Sequence, residues 1–88
     1  MSGKQTHEDE ALALGALGWT LADDARAERF LALTGLTPDG LRAGLGERAT
    51  LAAVLRFLEA HEPDLVACAA AIGAEPLDVP AARRRLEA

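Results

Sequence analysis

Tyrosine is absent, and Trp19, Phe30 and Phe57 are the only aromatic residues among 88. Proteins that bind single-stranded nucleic acid stack bases on exposed rings, and three rings barely supply a core. Cysteine occurs once, as Cys68. An internal disulfide is therefore excluded, and a lone thiol inside the apolar run "LVACAAAIG" reads as a buried structural residue suited to a reducing interior. Serine occurs only at Ser2, which leaves nothing for a serine triad. Positive charge is also short: 9 basic residues face 14 acidic ones, for a net charge of −5. Nucleic-acid affinity rests largely on phosphate neutralisation, so this balance argues against it. No run approaches the ~18 apolar residues of a membrane span. The opening "MSGKQTHEDE" has no apolar signal core, so a cytoplasmic protein is expected.

The dominant residues are alanine and leucine, while there are only three valines and one isoleucine. Alanine and leucine head the helix-propensity ranking and β-branched strand formers are scarce. The expected fold class is all-α, a compact single-domain bundle of five or six short helices. Residues 6–88 form the domain and residues 1–5 a flexible polar tail. A chain this short buries only about 60% of its unfolded surface, so modest stability follows.

The first helix is expected from His7 to Leu21, with Thr6 and Asp9 as a loose capping box. Ala11, Leu14, Leu17, Gly18 and Leu21 form one wide stripe, and Leu12, Ala16 and Trp19 extend it. A helix apolar nearly all round is usually buried, which places this one at the centre. Asp23 or Asp24 caps a second helix over 25–34, with Gly35 as its left-handed end. Thr37 as N-cap, Pro38 at N1 and a Leu36–Leu41 staple define a third, ending near Gly46. A fourth covers 48–61, where Leu51, Val54, Leu55 and Leu58 repeat at i, i+3, i+4 and i+7. Pro63 opens a fifth through Ile72, closed by Gly73. A last helix over 79–86 buries Val79, Ala82 and Leu86 and turns Arg83 to Arg85 toward solvent.

The stretch "FLALTGLTPDGLRAGL", Phe30 to Leu45, has the outline of a helix-turn-helix. A DNA-reading helix sends its first side chains to base edges amid phosphate contacts. Here those positions hold Thr37, Pro38, Asp39 and Gly40, and Arg42 is the helix's only cation. Asp39 repels phosphate, so the stretch reads better as a corner within a bundle. His7, Glu8, Asp9 and Glu10 form one acidic cluster and His61, Glu62 and Asp64 another. Neither has the paired-His or paired-Cys spacing of a metal site. No catalytic residue, cofactor or metal is expected. The arginines 83–85 fit the C-terminal end of a helix dipole, with Glu87 diluting them.

Three stretches, "RFLALTGLTPDGLR", "LAAVLRFLEAHE" and "PLDVPAARRRL", resemble in order and spacing a family of small alphaproteobacterial helical proteins, domain of unknown function 3572. The resemblance spans Glu8 to the end, implies a helical bundle, and brings no activity with it. Against that pattern, Cys68 replaces an expected aromatic, Gly40 and Gly44 loosen the third helix, and Pro80 delays the start of the last.

The expected function is that of a non-enzymatic interaction module or adaptor whose partner is another protein or a second copy, with no membrane. The alternative is a nucleic-acid-associated regulator built on residues 30–45. The candidate partner surface comprises Trp19, Asp39, Gly40, Arg42 and Gly44. Trp19 is included as an interface anchor, and the two glycines because they permit close backbone approach. For those glycines, packing against the fourth helix is the more conservative expectation. The charge of the exposed face of the third helix separates the two functions.

Overall fold

A computed structural model describes the backbone of residues 2–88 and the side chains from His7 onward. Six helices follow in order: α1 Ser2–Leu21, α2 Asp24–Thr34, α3 Pro38–Ala43, α4 Arg48–Glu59, α5 Glu62–Ile72 and α6 Asp78–Glu87. The all-α bundle is as expected, and among the described residues there is no strand. α1 begins ahead of His7. Met1 and the side chains of residues 2–6 lie outside the described residues, and with them the Thr6 cap, while the backbone of residues 2–5 of the expected tail belongs to α1.

α1 and α4 are both central, and α1 packs on α2, α4, α5 and α6; α4 is the more deeply buried of the two. It packs on α1, α2, α5 and α6, most extensively on α6. Its 12 residues bury Leu51, Ala52, Val54, Leu55, Phe57 and Leu58. Phe57 meets Phe30 of α2 edge-to-face, with ring centroids 5.3 Å apart, a favoured aromatic geometry. α1 turns only one face inward: Asp9, Ala13, Ala16, Leu17 and Thr20 are buried, while Ala11, Leu14, Gly18 and Leu21 are exposed. The stripe expected to face the core is thus mostly the outer face. The molecule measures 37 × 27 × 17 Å.

Polar groups on the inner face of α1 are satisfied in place. The Thr20 hydroxyl donates to the Ala16 carbonyl at 2.8 Å. Asp9 accepts from Arg85 Nε and Nη2, both at 2.9 Å. The arginine run therefore does not simply face solvent. Arg83 is half-buried, with Nε 2.8 Å from Glu59 and Nη1 2.9 Å from Glu87. Its guanidinium is held above its ordinary range by hydrogen bonding to Glu59 and then Glu87. Glu87 also accepts from Arg56, and these two partners, Arg56 first, hold its carboxyl below the ordinary range.

Two expected helix ends move. α6 starts at Asp78, so Pro80 does not delay it. In a first turn the backbone N–H lacks an intrahelical partner, and proline loses nothing there. α3 stops at Ala43, earlier than expected, and residues 44–46 form a turn.

Candidate functional site

The corner between α2 and α3 forms as its residues dictate. Gly35 ends α2 at φ 75°, a left-handed conformation that costs glycine nothing. Its N–H donates to the Leu31 carbonyl at 2.9 Å. Thr37 Oγ1 accepts from the Gly40 N–H at 2.9 Å and caps α3. Leu41 is buried and Leu36 half-buried on the same core, consistent with the expected staple.

Beside this corner an apolar groove of about 280 Å³ opens between α1, α2 and α3. α1 supplies Leu17 and Leu21, and α2 supplies Leu31. Pro38, Leu41 and Arg42 of α3 form the facing wall, with Leu45 in the turn beyond. Leu21 and Leu45 remain 39% and 36% exposed. Leu14, 44% exposed, continues the α1 wall one turn further, since 14, 17 and 21 follow helical spacing.

Among the described residues the only charged side chain lining the groove is Arg42, and it pairs with Asp39. Its Nη1 lies 3.1 Å from Asp39 Oδ1, with the two side chains 75% and 93% exposed. The outer face of α3 is therefore mixed and locally neutral. It offers phosphate no unpaired cation, the requirement of a DNA-reading helix.

The five expected surface residues do not form one patch. Asp39, Gly40 and Arg42 sit together on the exposed side of α3. Gly44 is buried, and a Cβ there would come within 2.5 Å of Thr50 Oγ1. Its lack of a side chain serves packing against α4 within the chain. Trp19 is half-buried on the other side of α1 from the groove leucines. The Arg26 guanidinium carbon lies 3.5 Å from the Trp19 ring centroid, and Arg26 also donates to the Trp19 carbonyl. The first contact occupies one face of the ring within the fold, and the second, to the backbone, holds Arg26 in place over it. The groove leucines were not legible as a site, because their spacing on α1 is equally that of a core face.

The remaining clusters are used structurally. His61 Nδ1 lies 3.2 Å from Asp64 Oδ2, and Arg29 pairs with the same carboxylate. Cys68 is fully buried. Burial pushes its thiol above the ordinary range; the nearby Arg26 charge opposes this less strongly, and Asp64 adds to it. Among the described residues no helix is long and apolar enough to cross a membrane.

A small six-helix bundle with an open leucine-lined groove is the class of protein these features define. The family model described as "Protein of unknown function (DUF3572)" matches residues 6–88. The chain belongs to that family. No curated protein and no solved structure matches it.

Proposed function

We propose that the protein is a non-enzymatic interaction module and that the α1–α2–α3 groove is its docking face. The observation that carries this reading is the groove itself, walled by leucines from three helices and left partly open to solvent. Contiguous apolar surface around a concavity is the usual mark of a protein-docking site. The neutral Asp39–Arg42 pair at its mouth favours a protein partner over nucleic acid.

Affinity capture from the native cell tests this with three baits. The wild type and Leu77→Gln, which changes an exposed leucine outside the groove, should retain the same partner. Leu21→Gln combined with Leu45→Gln should lose it. Retention of the partner by that double variant would place docking elsewhere.

A further inference from the structure

We propose that the groove takes a cationic amphipathic helix from a partner protein, an inference that rests on the groove being the docking face. The charge around it points that way. On α2, Asp24 and Glu28 precede Leu31 by seven and three residues, so helical spacing puts them on the edge that carries the groove leucine. On α1, Glu10 precedes Leu14 by one turn and Leu17 by two, on the same stripe. None of these three carboxylates makes an ion pair among the described residues. Among the described residues the cation lining the groove, Arg42, is matched by Asp39. The result is an apolar trough with unbalanced negative charge at its edges.

The dimensions fit a short helix. Leu14 to Leu21 spans seven residues, or about 10 Å at the helical rise. That wall meets two turns of an occupant presenting apolar residues at i, i+3 or i+4, and i+7, the usual spacing of a helix seated in a groove. Lysine or arginine beside those anchors would reach Glu10 at one end and Asp24 and Glu28 on the other edge. A second copy fits less well. A two-fold interface lays the same patch on itself and would bring one copy's acidic edges against the other's, a like-charge juxtaposition that disfavours pairing. An anionic lipid surface is disfavoured by the same charges.

The test uses two labelled synthetic peptides with identical leucine spacing, one flanked by lysines and one by glutamates, titrated with the full chain and read by fluorescence anisotropy. The lysine peptide should bind at least about ten-fold more tightly, and its affinity should fall as salt is raised. Glu10→Lys with Glu28→Lys should abolish the preference. Glu62→Lys with Glu75→Lys, the same charge change away from the groove, should preserve it. Glu28→Lys alone, at an exposed position, should already narrow it and carries the test if the double variant is poorly folded. Equal binding of both peptides would overturn the cationic assignment and leave the docking face standing. Equal loss in the remote variant would also overturn it, since attraction would then be to net charge alone. Binding of neither peptide would overturn the docking face as well. A concentration-dependent dimer dissolved by Leu21→Gln with Leu45→Gln would assign the groove to a second copy and refute the proposal.

Discussion

Arg85 closes the last helix onto the first by clasping Asp9, 76 residues earlier, through two parallel hydrogen bonds of 2.9 Å. The carboxylate is buried, at 4% exposure, and the guanidinium half-exposed. The pair holds the two ends of the chain together across α1 and α6. In a double-mutant cycle, Asp9→Asn and Arg85→Gln should each lower the urea midpoint, and together by less than the sum of the two. Additive losses would mean that the two side chains act independently.

Glycine substitutions should separate by surroundings. Gly18→Ala meets nothing within 4 Å and should stabilise α1 by about 0.5–1 kcal/mol. Gly35→Ala puts a Cβ at φ +75° and should cost about 1 kcal/mol. Gly44→Ala collides with Thr50 Oγ1 at 2.5 Å and should cost about 1–3 kcal/mol. Thr50→Ala in the same chain should recover most of that loss. Thermal melts read all four variants.

Around the corner, Thr37→Ala should cost about 1 kcal/mol through the lost cap. Leu41→Ala should cost about 2–5 kcal/mol through a core cavity. Asp39→Ala and Arg42→Ala break an exposed pair and should change stability by less than ~1 kcal/mol. Denaturant titration at neutral pH checks the ordering.

Acid should expose the Glu87 contacts. Its folded carboxyl titrates below the ordinary 4.5 because Arg56 and Arg83 donate to it. The folded state therefore binds fewer protons at this group than the unfolded state. Its contribution is fully present above that ordinary value and is lost as pH falls through the lowered one. Glu87→Gln should be less stable than wild type at pH 7, and the gap should close in strong acid. A gap independent of pH would contradict the ionic origin of the contact.

The α2–α3 corner was legible in the sequence because its signals are local. Gly35, Thr37 and Pro38 each satisfy a backbone requirement within four residues of themselves. The facing of α1 was not legible. The helix is apolar on several sides, and its inward face carries two polar residues, Asp9 and Thr20, among the alanines. Asp9 is tolerated there because Arg85 reaches it from the far end of the chain, a contact with no local trace. Placing Leu14 and Leu21 outward follows from that inversion. The candidate groove shares this history, being assembled from leucines on separate elements whose only common property is where the fold leaves them. Asp39 and Arg42 were legible as exposed, whereas Gly44 and Trp19 were drawn into packing by Thr50 and Arg26.

Leucine-methyl chemical-shift mapping during titration with the lysine-flanked peptide tests the docking face most directly. The methyl groups of Leu17, Leu21, Leu31, Leu41 and Leu45, all lining the groove, should shift together and saturate at one stoichiometry. Leu33 and Leu77, at 69% and 80% exposure but outside the groove, should stay in place. Shifts concentrated at Leu33 or Leu77, with the groove methyls unmoved, would contradict the assignment of this groove as the surface through which the protein works.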